Sequence, residues 1–328
     1  MMSPLVQAER LDFLTQEREE AQLFERTVPR WLVHRAAVSE VLLTGVRPRG
    51  RDAYRIGAQW ARCHSYYGPV AGSWHDPMLF AESIRQAALL LGHQALGIPM
   101  GHQFLTRTMT FETTEEGMRL AGTPADVVID ASMRDIRCRA GHVTSFGCDF
   151  TAHRDGTLIA RGSGSTDCVA PAVYHRLRGG RAADDPACVP SRAVAPHLVG
   201  RMQEFDVVLG VRDGEAADEQ SHAYLLRVDA THPVLFDHPV DHVPGMVVLE
   251  AARQAALASL GLPRGLLVGC DAAFHRYIEL DSPCLVMVTP APPGGEPGRG
   301  EAMVTFHQQD AVAGSCRVSL LDAGSGRL

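Results

Sequence analysis

Residues 244–257 read Pro244-Gly-Met-Val-Val-Leu-Glu-Ala-Ala-Arg-Gln-Ala-Ala-Leu257, and the last eight of these follow the same Glu-x-x-Arg-Gln-Ala-Ala-Leu motif as residues 82–89. The two copies lie 168 positions apart in a chain of 328 residues, and His64 and His232 have the same separation. A repeat near half the chain length indicates duplication of a whole domain, because solenoid repeats are much shorter. The sequence therefore predicts two similar domains.

Each copy of the motif belongs to a long apolar segment, which spans residues 77–96 in the first half and 244–260 in the second. Within the second segment the only charged residues are Glu250 and Arg253. An α-helix that is apolar on nearly all sides is buried. A proline or glycine at its start suits the first helical turn. Both segments are therefore predicted to be buried helices.

Short runs rich in Val, Ile, Thr and Phe surround each predicted helix and indicate strands. In the first half these runs are 40–46, 54–59, 104–113, 127–139, 142–151 and 157–169, and in the second 205–211, 223–228, 285–289, 302–307 and 317–320. One long helix followed by consecutive strands is an α+β pattern with an antiparallel sheet. The predicted fold is a tandem (double) hot-dog, in which each domain wraps a sheet around its helix. The two domains would then meet across a pseudo-dyad, as two subunits meet in a dimer.

Composition suggests where the domains begin and end. Residues 179–196 are rich in Gly, Pro and Asp, which is typical of a linker. The predicted organisation is an N-terminal extension at 1–29, a first hot-dog domain at 30–180, a linker at 181–195 and a second hot-dog domain at 196–328.

The overall charge and the cysteines narrow the class of protein. The formal net charge is -7, which argues against a nucleic-acid-binding surface. Eight cysteines without a C-x-x-C pair indicate reduced thiols, as expected in the cytoplasm. The N-terminus lacks a signal-peptide pattern, and no apolar run approaches the roughly 20 residues that cross a bilayer. We expect a cytoplasmic protein that binds neither nucleic acid nor membrane.

Polar side chains three and four residues apart share one face of each buried helix. They are Glu82, Arg85 and Gln86 in the first helix, and Glu250, Arg253 and Gln254 in the second. Charged side chains are seldom buried unless they are paired or functional. One interpretation is a structural ion pair that fixes the helix. The other is a reactive site, because the free N–H groups near Gly245 at a helix N-terminus can hold an oxyanion.

Histidines near the start of each half, His34 and His197, are further candidates for either a structural or a chemical role. The run from 232 to 242 contains three His and two Asp residues, ligand types that suit zinc or iron. It reads better as a loop before the second helix, so no metal or other cofactor is predicted. Cys63 adjoins His64, but neither a serine elbow nor a phosphate-binding glycine loop is present.

The run from residue 232 to 256 resembles the central helix of β-hydroxyacyl-carrier-protein dehydratases. In that family a Pro-Gly turn leads into a helix that carries the catalytic glutamate, at the position of Glu250. The resemblance implies a catalytic histidine from the other domain, with His34 facing Glu250 or His197 facing Glu82. Dehydratases usually lack an arginine three residues after the glutamate, so the likeness is not to a dehydratase proper.

Four runs are more similar to the A-factor biosynthesis family, the γ-butyrolactone synthases of actinobacteria. They are residues 33–41, 58–60, 75–86 and 236–250, and the likeness covers most of 30–310. The resemblance implies an acyltransferase that moves a β-ketoacyl group from an acyl carrier protein to the hydroxyl of dihydroxyacetone phosphate. This would be the first step toward a butenolide signal.

The resemblance suggests a role for each candidate of the two helix motifs. Glu250 or Glu82 would be the base, and Glu250 ranks first because of its fuller Pro-Gly context. Arg253 or Arg85 would bind phosphate beside the two glutamines. Another hot-dog thioester enzyme (a dehydratase or thioesterase) and a non-catalytic acyl-binding protein are the alternatives. Chain length, the half that works and further association of the fused pseudo-dimer stay open.

Overall fold

The computed structural model describes residues 21–179, 181, 189, 191–212, 222–292 and 297–323. The α-helices of this part of the chain are α1 (Met78–Gln94), α2 (Glu115–Met118), α3 (Pro171–Leu177) and α4 (Gly245–Ser259). Helices α1 and α4 carry the repeated motif and are buried along nearly their whole length, as predicted.

Antiparallel strands form one continuous sheet. In the first half they are β1 (Leu43–Pro48), β2 (Ala53–Trp60), β3 (Gln103–Thr113), β4 (Ala125–Arg139), β5 (His142–Arg154) and β6 (Thr157–Val169). In the second half they are β7 (Leu209–Gly210), β8 (Ala223–Leu226), β9 (Gly265–Phe274), β10 (Leu285–Pro290), β11 (Arg299–Gln308) and β12 (Ala311–Asp322).

The order of the strands shows the duplication. It runs β1-β2-β4-β5-β6-β3-β9-β12-β11-β10-β8-β7, so the second half repeats the first in reverse around the β3–β9 pair. At this junction Thr108 lies opposite Ala273 and Glu112 lies opposite Gly269. Helix α4 packs against β9 to β12 of its own half. This is the predicted double hot-dog, with a pseudo-dyad between β3 and β9.

Two strand predictions differ from the structure. Strand β9 was absent from the expected strands because its sequence includes Gly265, Gly269 and Asp271, residue types depleted in strands. Pairing with β3 on one side and β12 on the other stabilises it nonetheless. The run 205–211 contributes only the two-residue strand β7, since residues 204–206 form a 3₁₀ turn.

The predicted extension and linker lie mostly outside the described residues, and the domain bounds stay a prediction. Of the extension, Leu23 is buried beside Gly45 and Gly57 of the first half, where a side chain at either glycine would meet it. No helix in the described ranges combines the length and apolarity needed to cross a membrane.

Candidate active site

The Glu82 carboxylate is the centre of a buried cluster in the first half. Its Oε1 accepts hydrogen bonds from Arg35 Nε (3.0 Å), Arg85 Nη2 (2.8 Å) and Gln86 Nε2 (2.7 Å). Its Oε2 accepts one from Arg85 Nε at 2.8 Å. The predicted Glu-x-x-Arg-Gln motif therefore folds into one hydrogen-bonded unit, and Arg35 joins it from a loop.

The second half repeats this cluster around Glu250. Arg201 Nη2 lies 2.7 Å from Oε1, Gln254 Nε2 lies 2.6 Å from it, and Arg253 Nε donates to Oε2 at 2.9 Å. Arg201 is thus the counterpart of Arg35. The sequence analysis did not select these two arginines, although a signal existed. Arg35 follows His34 and Arg201 follows Gly200, at a separation of 166 positions that is close to the 168 of the helix motifs.

Both clusters join the two halves. Arg35 Nη1 donates to the carbonyl of Val234 at 3.0 Å, and Arg201 Nη1 donates to the carbonyl of Tyr66. Each arginine therefore links the glutamate of its own half to the backbone of the other.

Both glutamates are held ionised. Burial by itself raises the pKa of Glu82, but the Arg35 and Arg85 guanidinium groups outweigh it and lower the pKa to about 2. Burial also raises the pKa of Glu250, but the Arg201 and Arg253 guanidinium groups outweigh this effect and lower the pKa to about 2. A carboxylate held this way is a weak proton acceptor.

A cavity of about 190 Å³ lies between the halves. From the first half it is lined by His34, Arg35, Arg85, Ala88, Phe104, Cys148 and Gly164, and from the second by Val234, Asp237, His238, Pro244, Gly245, Met246 and Leu249. Neither glutamate is part of this lining within the described structure. Arg35 and Arg85 separate Glu82 from the cavity, whereas Glu250 and its arginine partners do not border it.

His34 lines the cavity in a backbone conformation that is rare for a side chain other than glycine. It ends a 3₁₀ turn, Arg30–Val33, with φ 50° and ψ 52°. The matching turn, Pro196–Val199, ends at Gly200 with φ 67°. Glycine adopts this left-handed region readily, while other residues occupy it at a cost that is often met at functional sites.

The structure places His34 and His197 at positions that are not equivalent, and their pairing with the glutamates stays a prediction. The counterpart of His34 is Gly200, while His197 lies on the exposed face of its turn. In the described structure neither histidine is a hydrogen-bond partner of Glu82 or Glu250. The two turns are offset by 166 residues, whereas His34 and His197 are 163 positions apart, so the two histidines do not occupy equivalent positions.

The ring of His34 is hydrogen-bonded to a second histidine. His34 Nε2 lies 2.8 Å from His93 Nε2, and His93 Nδ1 lies 2.7 Å from the carbonyl oxygen of Ile98. Burial lowers the pKa of His34 to about 4, and the neighbouring His93, Arg85 and His238 lower it in the same direction. The ring of His34 is therefore neutral around pH 7.

The two helix N-termini are finished differently. At α1, Asp76 Oδ1 accepts the N–H of Met78 at 2.9 Å, and Asp76 Oδ2 lies 3.3 Å from Arg253 Nη1. At α4 the position equivalent to Asp76 is Pro244, and no side chain caps the helix. The cavity therefore borders an open N-terminus at Gly245, whereas the equivalent place beside Arg253 is filled by a carboxylate.

The comparison with known families identifies this arrangement. The profile described as the A-factor biosynthesis hotdog domain matches residues 16–170 and again 183–321. The chain belongs to the A-factor biosynthesis family. A relative from Streptomyces virginiae, named 2-oxo-3-(phosphooxy)propyl 3-oxoalkanoate synthase, is 42% identical over 292 residues, which cover 89% of this chain and 97% of the relative. A protein of the same name from Streptomyces coelicolor is 36% identical and covers 91% of this chain and 94% of its own.

Solved structures agree with the A-factor family fold. An acyl-ACP thioesterase from Bacteroides thetaiotaomicron superposes with a TM-score of 0.51 at 12% identity, covering 81% of this chain and 97% of its own. The 12:0-ACP thioesterase from Umbellularia californica gives 0.50 at 12% identity, with 84% and 98% covered. At this identity the likeness concerns the fold alone.

The His and Asp residues of 232–242 have separate partners in this A-factor family chain. His232 Nδ1 accepts the N–H of Val234, as His64 does for Tyr66 in the first half. The other four form two separate pairs: Asp237 contacts His238 and Arg35, and Asp241 contacts His242 and Arg178. Among the described residues no group of three or more metal-ligating side chains converges. Cys63 is exposed and is not part of the cavity lining.

Proposed function

We propose that the chain is an acyltransferase that moves a β-ketoacyl group from an acyl carrier protein to the hydroxyl of dihydroxyacetone phosphate. The name borne by its Streptomyces relatives describes this ester, a 3-oxoalkanoyl group joined to 2-oxo-3-(phosphooxy)propanol. The site is the cavity between the halves. The observation that carries this proposal is that a neutral histidine, an arginine and an open helix N-terminus border one cavity.

The acyl chain occupies the part of the cavity that is lined by Phe104, Ala88, Cys148 and Leu249. An outer cavity of about 670 Å³ shares His34 and other residues with the inner one and provides the path from solvent. Its rim includes the exposed Arg30 and Trp31. A basic and aromatic rim suits an acidic carrier protein that delivers its acyl group on a long flexible arm.

His34 is the general base of the proposed reaction. The carbonyl of Ile98 can only accept a hydrogen bond, so His93 Nδ1 carries a proton and, in the neutral ring, His93 Nε2 does not. His34 Nε2–H then donates to His93 Nε2, which leaves the lone pair on His34 Nδ1. That atom has no hydrogen-bond partner among the described residues, and its ring borders the cavity.

The step balances without a protein nucleophile. The acceptor hydroxyl oxygen attacks the thioester carbonyl carbon while its proton passes to His34 Nδ1. The tetrahedral intermediate then collapses, the C–S bond breaks, and the departing sulfur takes the proton back from His34. With a pKa of about 4, His34 is a stronger proton acceptor than either glutamate, whose pKa is about 2, and its protonated form returns the proton readily.

Glu82 has an anchoring role in this proposal. Its carboxylate accepts hydrogen bonds from both Arg35 and Arg85 and fixes the two guanidinium groups at the cavity wall. Glu250 fixes Arg201 and Arg253 in the same way, but at a place that the cavity does not reach. We therefore rank the first half's cluster ahead of the second, the reverse of the ranking from sequence.

The test is mass spectrometry of the protein mixed with a β-ketoacyl-carrier protein and dihydroxyacetone phosphate, with a reaction lacking the acceptor as control. The expected product is a phosphorylated ester that forms only when both substrates are present and is lost in His34→Ala. Free acid formed without the acceptor would replace the proposal with a thioesterase, and an enoyl product with a dehydratase. Donor binding without any product would leave a binding protein.

A further inference from the structure

The pseudo-dyad relates two places where a helix N-terminus faces an arginine of the other half: the start of α1 faces Arg253, and the start of α4 faces Arg85. Asp76 occupies the first of these, the closed site, and shows how an anion is held there. Its carboxylate is buried, accepts the N–H of Met78 in the first turn of α1 and pairs with Arg253 Nη1 of the other half. A helix N-terminus and a guanidinium group therefore meet around one negative charge. Both are favourable partners for an anion, and together they hold it between the halves.

The same elements meet at the cavity without an anion between them. The offset of 168 residues between the repeats makes Met246 the equivalent of Met78 and Arg85 the equivalent of Arg253. Both of these residues line the cavity. The residue equivalent to Asp76 is Pro244, whose ring has no hydrogen-bonding group.

The donors at this place are unoccupied by protein within the described ranges. Arg85 uses Nε and Nη2 for Glu82, and its Nη1, the counterpart of the Arg253 nitrogen that binds Asp76, has no partner there. The N–H groups of Gly245 and Met246 likewise have none, because the first capping bonds of α4 begin at Val247. The side chain of Arg85 is 22% exposed, against 5% for Arg253.

The carboxylate of Asp237, which the second half contributes to the cavity lining, is held by other partners. Asp237 contacts Arg35 Nη1 at 3.4 Å, accepts the backbone N–H of Ala36 at 2.8 Å and pairs with His238. The Asp237 carboxylate is thus directed at Arg35 and not at Arg85. Arg85 keeps its outer edge toward the cavity.

We infer that the cavity contains an anion subsite between Arg85 Nη1 and the N–H groups of Gly245 and Met246, and that it binds the phosphate monoester of the acyl acceptor. Asp76 marks the position by pseudo-symmetry. The choice of phosphate rests on the proposed function, whereas the subsite itself rests on the geometry alone. A guanidinium group and helix N–H donors are the common partners of phosphate in proteins.

The sharpest test places a carboxylate at Pro244, the position equivalent to Asp76. In Pro244→Asp the new carboxylate should cap α4 and pair with Arg85, as Asp76 caps α1 and pairs with Arg253. Pro244→Asn is the matched control, since asparagine also caps a helix but brings no charge. Circular dichroism and thermal unfolding establish that both variants are folded, and Arg85→Gln provides a second way to remove the subsite.

Two readouts are compared, namely calorimetric binding of inorganic phosphate and steady-state kinetics with dihydroxyacetone phosphate. We expect phosphate to bind the wild type in competition with the acceptor. In Pro244→Asp, phosphate affinity should fall and the acceptor KM should rise, each by at least about tenfold, with the donor KM unchanged. Pro244→Asn should stay much closer to the wild type in both.

Each other outcome has a defined meaning. Unchanged phosphate affinity and acceptor KM in both Pro244→Asp and Arg85→Gln would overturn the subsite, as would a wild type that does not bind phosphate. Loss of kcat in Pro244→Asp with unchanged phosphate affinity would overturn the phosphate assignment in favour of a reaction oxyanion. Phosphate binding that Pro244→Asp abolishes, in a protein that forms no ester, would keep the subsite and refute the proposed function.

Discussion

Replacing Glu250 by glutamine separates a structural role from a catalytic one. The Glu250 carboxylate accepts hydrogen bonds from Arg201, Arg253 and Gln254 and is completely buried. It lies away from the cavity lining. We therefore expect Glu250→Gln to destabilise the protein while the folded fraction keeps its turnover.

The magnitude follows from the charges left behind. In Glu250→Gln two buried guanidinium groups lose their central anion, although Asp76 still pairs with Arg253. Breaking a buried ion pair by removing one partner costs roughly 3–5 kcal/mol. Because the glutamine oxygen still accepts a hydrogen bond, we expect the lower figure, about 3 kcal/mol. At about 2–4 °C per kcal/mol for a large domain, Tm should fall by roughly 6–12 °C.

The assay combines thermal and urea unfolding with kcat measured at a temperature where the variant is at least nine-tenths folded. The matched control is Glu82→Gln, which removes the same group from the cluster that borders the cavity. It should lose similar stability and also about a hundredfold in kcat, because the cavity-wall arginines shift. A large loss of kcat in Glu250→Gln with unchanged Tm would refute the reasoning and return Glu250 to the chemistry.

Three further variants and one pH profile test the rest of the site. His34→Ala should lower kcat about 10²–10⁴-fold with the donor KM unchanged, and a smaller loss than tenfold would exclude it as the base. His93→Ala should raise the acid limb of the pH–rate profile above its position near pH 4, because burial, the main cause of the low pKa of His34, is then no longer joined by the effect of His93; an unmoved limb would contradict the interaction of the two rings. Ala88→Phe should exclude long acyl donors but accept short ones in a chain-length series. Because Glu82 and Glu250 have folded pKa values lowered to about 2, their stabilisation should be complete above about pH 4.5 and lost toward pH 2 in unfolding measured against pH; a flat profile over that window would argue against it.

Much of the fold follows from the repeated motif alone. A charged pair inside two otherwise apolar segments predicts two buried helices, and the equal spacing predicts two copies of one domain. Strand β9 escaped prediction because its stability comes from pairing with β3 and β12 rather than from its own glycine-containing sequence. Local preference carries no information about such neighbours.

The candidate site was predictable only in part, and distance along the chain is the reason. The motif itself indicates that Glu82, Arg85 and Gln86 interact, since they lie on one helical turn. Arg35 reaches the same carboxylate from 47 residues away, and His93 reaches His34 from 59 residues away. Only the folded backbone brings such groups together.

The presence of both halves in one polypeptide chain also has an evolutionary consequence. In a homodimer of single hot dogs, a carboxylate at the helix start would plug both active sites at once and would be removed by selection. Here the gene holds two independent copies, so Asp76 could close one site while Pro244 left the other open. The closed site is then released from the demands of turnover, and its buried ion pair is free to serve only in holding the two halves together.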